Sequence, residues 1–193
     1  MRVNGAKMRR RAAGRLGRRA ILDLVRERWI SAYAAGAVLG IAVLGVGGRL
    51  AMATIQVAQG APPGFDLAGT VQVLVPGLAV GPAAGLWYAL LLPWIGKHAT
   101  ALRGIIFGTC HGAFWVAVYF ARPAGPVELS AAPVFGSILF GTLLILFGVA
   151  VAWLEARWHP RLATLAMPVG ARAFLWLLGA AGFGFTFWVL VQR

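Results

Sequence analysis

Four ionisable side chains interrupt a chain that is otherwise apolar over most of its length: Arg49, Asp66, His111 and Glu155. An arginine inside or at the edge of a bilayer is costly, and by default it marks function with a partner to be named. For Arg49 the partner expected is Asp66, because a short loop joins the two apolar segments that carry them. Arg49 could equally snorkel to headgroups or clip that loop to its helix. His111 falls near the middle of an apolar segment, on the side of its glycines. A buried imidazole there could ligate a haem or pigment, relay protons, or hydrogen-bond to a neighbouring helix. His98 and His159 lie at other depths, so neither is placed as a second axial ligand. Glu155, next to Trp153 and Arg157, reads as an interface residue, and so does Glu128 in a loop.

Recognisable catalytic patterns are missing. The chain has no His-Glu-x-x-His, Cys-x-x-Cys, Gly-x-Ser-x-Gly or glycine-rich phosphate loop. Only Ser31, Ser130 and Ser137 could act as hydroxyl nucleophiles, and no His or Asp is placed to activate them. Five carboxylates in all, two of them Asp23 and Glu27, are too few for a metal cage. The expectation is a non-enzymatic protein.

The elements that position these residues are transmembrane helices. Of 193 residues, 60% are hydrophobic and 12% charged, against about 25% charged in a soluble domain. A span needs roughly 20 apolar residues. Five candidates meet that length, at about 30–49, 67–95, 101–120, 133–153 and 173–191. The first could run on to Gln56 before Ala61-Pro62-Pro63-Gly64 stops it. Asp66 is the natural N-cap of the second, which Pro76 and Pro82 should bend. Glycines recur every fourth residue at Gly77, Gly81 and Gly85, and again at Gly104, Gly108 and Gly112. Such faces let helix backbones approach closely, so the second and third spans are expected to form a tightly packed hairpin at the centre of the bundle. The fold class expected is all-α, a polytopic five-helix transmembrane bundle.

Residues 1–28 carry ten of the eighteen basic residues and two acidic ones, a net charge of +8. This segment is expected to be a cytoplasmic tail and a basic amphipathic helix on the bilayer surface. Arg9, Arg10, Arg11, Arg15, Arg18 and Arg19 would then contact anionic headgroups. The apolar region that follows Arg18-Arg19 far exceeds a signal h-region, so an uncleaved anchor is expected. Lys and Arg alternate between rich and poor loops, which places the N-terminus in the cytoplasm and the C-terminus outside. Trp29, Trp94 and Trp153 fall at the cytoplasmic ends on this reading and Trp115 and Trp188 at the outer ends. Phe114-Trp115-Val116 and Phe187-Trp188-Val189 are too short a match to establish a repeat.

Gly47-Gly48-Arg49-Leu50-Ala51-Met52, followed by Pro62-Pro63-Gly64-Phe65-Asp66-Leu67-Ala68-Gly69-Thr70, resembles small multi-pass bacterial membrane proteins of no assigned activity. The resemblance covers about 25 residues around the first outer loop and implies that Arg49 and that loop belong to one local structure. It transfers no catalytic or ligand residue.

These readings converge on a structural or accessory subunit of a complex in the bacterial inner membrane. Its partners would be lipids and either other membrane subunits or further copies of itself. The rival is a small-solute or ion transporter or channel acting as an oligomer, with Arg49 or His111 on the path. A nucleic-acid role finds no stacking aromatics in the basic tail, so specific nucleic-acid binding is not expected. The sequence names no cofactor.

Overall fold

The structure is a computed structural model that describes residues 28–120 and 131–162, together with Gly170, Leu177 and Gly184. The basic tail with Arg9 to Arg19 and the loop at 121–130 lie outside the described residues, as does most of the fifth expected span. Of that span Leu177 and Gly184 are described, and both are helical. Every element among the described residues is a helix. The elements are α1 (Arg28–Ala58), α2 (Leu67–Ile95), α3 (Thr100–Phe120) and α4 (Ala131–Leu162). Among the described residues three helical stretches are long and apolar enough to cross a membrane: Arg28–Ala58, Leu67–Ile95 and Val134–Arg161.

α1 takes the longer of its two expected courses, and α4 overruns its expected limit. α1 continues through Arg49 to Ala58, where Gly60 takes φ +76° and turns the chain away. At about 1.5 Å per residue its 31 residues extend some 46 Å, well beyond a hydrocarbon core of about 30 Å. α4 does not stop at Trp153 but carries Arg157, His159 and Arg161 on its last turns, where cations favour the helix dipole. α2 runs unbroken through Pro76, Pro82 and Pro93. Its start is capped by Asp66, whose extended backbone lets the carboxylate accept from the Gly69 N–H.

Packing follows the glycines, but not in the expected pairing. The glycine face of α2 does not meet that of α3. It lies antiparallel against α1, where a Cβ added at Gly40 would fall 2.6 Å from Gly81 Cα, and one at Gly36 would fall 2.9 Å from Gly85 Cα. Gly85 in turn sits against the backbone of Ala32 and Tyr33. The second face, Gly104 and Gly108 of α3, is seated on α4. A Cβ at Gly148 would lie 2.7 Å from Gly108 Cα, and one at Gly108 the same distance, 2.7 Å, from Ile145 Cα. Gly112 has only ordinary contact, 3.7 Å from Leu144 Cδ1, so it is not part of this close seam. The sequence spacing marked the faces; it did not show that Gly36 and Gly40 and the lone Gly148 offered each face a better partner than the other.

The seam between α1 and α2 also accounts for a change of helix type. Residues Gly40–Gly47 form a π-helix within α1. Gly36 and Gly40 are one α-turn apart, but the next contact glycine, Gly45, is five residues on. The i→i+5 pattern of a π-turn keeps that five-residue step on one face. A Cβ at Gly77 would accordingly meet both Gly40 O and Gly45 Cα, the latter at 3.1 Å.

Between the α1–α2 and α3–α4 pairs lies an aromatic layer. Tyr88 of α2 sits edge-on to Phe107 of α3, with ring centroids 5.2 Å apart, and Phe107 packs against Phe147 of α4 at 6.5 Å. All three are fully buried. Trp29 is buried with them, whereas Trp94 and Trp153 are exposed.

Filling either seam should separate a helix pair. Gly81→Ala and Gly148→Ala are each expected to lower the unfolding free energy in mixed micelles by about 1–3 kcal/mol, the usual cost of overpacking. Gly141→Ala, where an added Cβ meets nothing within 4 Å, should leave it unchanged. Equal midpoints for all three variants in a denaturation series would remove the seams as the basis of the fold.

Candidate functional site

Polar side chains gather at three places, and each is held by a different physical device. The first is the loop between α1 and α2. Arg49 projects from α1 and donates through Nη2 to the carbonyl of Gly64; the same nitrogen lies 3.5 Å from Asp66 Oδ2. Its guanidinium also stands over the Phe65 ring, 5.5 Å from the centroid. About two turns further on, Gln56 Oε1 accepts from the Gly64 N–H at 3.1 Å. Two α1 side chains thus fasten the Pro-Pro-Gly-Phe-Asp loop back onto the helix that precedes it. The Arg49 side chain is largely covered, 12% exposed, while that of Asp66 is 68% exposed. The Gly69 N–H is the largest influence on the Asp66 carboxyl and, with the Arg49 charge, holds it below the ordinary carboxylate value; partial desolvation opposes both.

The second place is the opposite end of the bundle. Glu155 is fully buried between the helices. It stands seven residues after Gly148, so the seam that seats Gly148 on α3 turns Glu155 inward as well. Arg28 Nη1 of α1 lies 3.6 Å from Glu155 Oε1. The charge of Arg103 on α3, whose Nη2 donates to Thr100 Oγ1 at 3.0 Å, acts on Glu155 too. The Tyr88 hydroxyl of α2 is buried beside these charges without a well-formed hydrogen bond. All four helices therefore send a polar group to one point. Arg28, Tyr88 and Arg103 were not singled out by the sequence. The signal that could have found them is the i, i+7 relation between Gly148 and Glu155, since a carboxylate on a packing face needs a cation.

The third place is the aromatic layer. His111 is 3% exposed and stacks on Phe107, with centroids 5.6 Å apart and planes inclined by 26°. Trp87 of α2 meets it edge-on at 5.3 Å. Its Nε2 accepts from the Trp115 indole N–H at 3.1 Å. An indole nitrogen can only donate, so the lone pair of the imidazole is on Nε2 and the proton on Nδ1. That arrangement leaves His111 no lone pair for a haem iron or pigment metal. Its hydrogen bond is to its own helix and not to a neighbouring one.

The three places are not brought together: Arg49 and Asp66 are at one end, Glu155 at the other and His111 between. Among the described residues no group of three or more His, Cys, Asp or Glu side chains could hold a metal ion. Cys110 of α3 is exposed. A cavity of about 450 Å³ opens between the pairs, lined by Leu44 and Met52 of α1, Pro76 of α2, Trp115 of α3 and Phe140 of α4 among others. A second, of about 230 Å³, adjoins it at Val80 and Trp115 and reaches His111. No family model, curated protein or solved structure matches this chain.

Two outcomes test the polar ends. Arg28→Met leaves a buried carboxylate facing fewer cations, so it should cost about 3 kcal/mol of stability. Adding Glu155→Leu should restore most of that loss, and additive losses in the double-mutant cycle would show the pair to be uncoupled. At the other end, a depressed carboxyl stabilises the folded state above its unfolded value, near pH 4, and that contribution fades as the pH falls through the folded value. The Gly69 amide shift should therefore titrate with a midpoint below the ordinary Asp value, and Arg49→Ala should raise that midpoint. A midpoint at or above the ordinary value in the unaltered chain is incompatible with the cap described here.

Proposed function

We propose that this chain is a non-enzymatic integral protein of the bacterial inner membrane that acts as a structural or accessory subunit of a membrane complex. The reading includes five spans, with the N-terminus in the cytoplasm and the C-terminus outside. The observation that carries it is the use made of the polar residues. Arg49 and Asp66 fasten a loop, and Arg28 and Glu155 tie α1 to α4, so the charged groups of the bundle serve its own architecture. The outer surface supports the membrane setting. Ile138, Leu146 and Trp153 are more than half exposed along one helix, at 61, 56 and 57%, a surface suited to lipid and costly in water. Anionic headgroups would meet Arg9, Arg10, Arg11, Arg15, Arg18 and Arg19 of the basic tail. Partner subunits, or further copies of the chain, would pack on the apolar flanks of the bundle.

One feature favours the second reading, a small-solute or ion transporter or channel acting as an oligomer. The π-segment Gly40–Gly47, Pro76 and the larger cavity lie side by side, and irregular helix around a cavity is where transporters place their sites.

Purification in mild detergent followed by mass spectrometry separates the two. Partner membrane proteins at fixed stoichiometry are expected. A partner-free species whose proteoliposomes pass solute or ions, and lose that flux when the larger cavity is filled by Val73→Trp, would replace the accessory reading with transport.

A further inference from the structure

The larger cavity, of about 450 Å³, follows α2 from Gln72 to Val80, with Trp115 of α3 and Leu143 and Leu144 of α4 facing it. Trp87 and Tyr88 of α2 meet Phe107 of α3 near the turn that joins the two helices; the cavity occupies the space between them further from that turn. It is open to the surface beside Met52 and Gln72, both exposed. Eight residues of α2 extend about 12 Å, so the cavity is a cleft with a mean cross-section of roughly 40 Å². A helix about 10 Å across occupies about 80 Å². The cleft is therefore too narrow for another helix and wide enough for a hydrocarbon chain.

One end of the cleft is polar and uncharged. Among its lining residues Gln72 alone carries an amide, and the one indole N–H, that of Trp115, is already given to His111. Pro76 has no N–H, so the main-chain oxygen of Gln72 loses its ordinary helical donor. The depth of this polar end follows from the length of α2. Its 29 residues extend about 43 Å, which overhangs a hydrocarbon core of about 30 Å by about 7 Å at each end. Gln72, the sixth residue of the helix, falls just inside that boundary, at the level where lipid chains join their headgroups.

We propose that the cleft holds one acyl chain of a membrane phospholipid, and that the Gln72 side-chain N–H donates to the ester carbonyl of that chain. Such a site requires the membrane setting proposed above and so rests on that reading. The length of about 12 Å suits a chain confined to one leaflet, about half of a 30 Å core. Apart from Gln72 the walls are apolar and aromatic, as a hydrocarbon guest needs. Met52, at the mouth, has the unbranched side chain that adapts to a guest of irregular outline. No charged side chain lines the cleft among the described residues. A free fatty acid would bring a carboxylate without a cation to meet it, which favours the uncharged ester.

The test offers the full chain two lipids at once. Nanodiscs are made with equal amounts of dipalmitoyl phosphatidylcholine and its diether analogue, which has the same chains but no ester carbonyl, and the lipid retained after detergent extraction is counted by native mass spectrometry. One phospholipid per chain should be retained, with the diester favoured about fivefold, the return of a single hydrogen bond. Gln72→Leu, at an exposed position, should keep the retained lipid and abolish the preference. Val80→Trp, which fills the cleft, should lose the lipid. Equal retention of the two lipids, a diester preference that survives Gln72→Leu, or a lipid that survives Val80→Trp would each overturn the proposal. A chain that enters nanodiscs and retains no lipid removes the site alone, whereas one that does not enter them removes the site and the membrane reading together.

Discussion

Close approach of bare backbone is the constraint on which the rest of this structure depends. Between helices in lipid there is no hydrophobic gain to draw them together, so association rests on van der Waals contact and on polar groups that hydrocarbon cannot solvate. Gly36, Gly40, Gly77 and Gly81 supply that contact between α1 and α2, and Gly104, Gly108 and Gly148 supply it between α3 and α4. The consequences reach beyond the seams. The π-segment of α1 keeps Gly45 on the contact face, and the inward turn of α4 at Gly148 obliges Glu155 to be buried. The aromatic layer occupies the space left where two welded pairs, whose glycine faces are already used, meet each other with large side chains.

The two ion pairs show how far environment decides what a charge does. Arg49 and Asp66 stand at an exposed loop, where water and salt weaken their attraction, and exposed pairs of this kind contribute little. The clasp gains its definition from accumulation: a carbonyl, a carboxylate and a ring all face one guanidinium, while Gln56 holds the same loop from the next turns. Arg28 and Glu155 have the opposite character. Their carboxylate is wholly buried, its desolvation is large, and the pair restrains the bundle because neither charge can be left alone there. One end of the molecule tolerates change and the other does not.

Much of this was legible in the sequence because it follows from local rules. Apolar length marked the helices, the position of Asp66 marked a cap, and the short loop after α1 marked Asp66 as a partner for Arg49. The same local rules misled where tertiary pairing decides. A four-residue glycine repeat states that a face is flat but not which flat face it will meet, so α2 and α3 were paired with each other on chain proximity. The end of α4 was missed for a related reason: the basic residues after Trp153 looked like a boundary, yet a helix continues as long as its backbone hydrogen bonds do. The first span was expected to run on as far as Gln56, and α1 ends two residues later, at Ala58. The surroundings of Glu155 were hidden because tertiary pairing decides them too, since they are supplied by residues of α1, α2 and α3 far from it in sequence.

The division into two pairs bears directly on how the competing functional readings differ. Within each pair, glycine contact leaves no slack: backbone meets backbone, and a shift of even a methyl radius collides with the opposite chain. Between the pairs, contact is made by rings, which can slide or turn over one another, and both cavities lie along that same boundary. A molecule that moves in order to work would therefore move there, with each pair as a rigid body and the Tyr88, Phe107 and Phe147 layer as the bearing. Yet Arg28 on one pair is tied to Glu155 on the other, and the loop between α1 and α2 is fastened down onto α1. Of these ties only Arg28–Glu155 crosses the compliant boundary; the Arg49 clasp lies within the α1–α2 pair. A tie across that boundary limits how far the two pairs can slide over one another, because parting it would leave the buried Glu155 carboxylate without its cation.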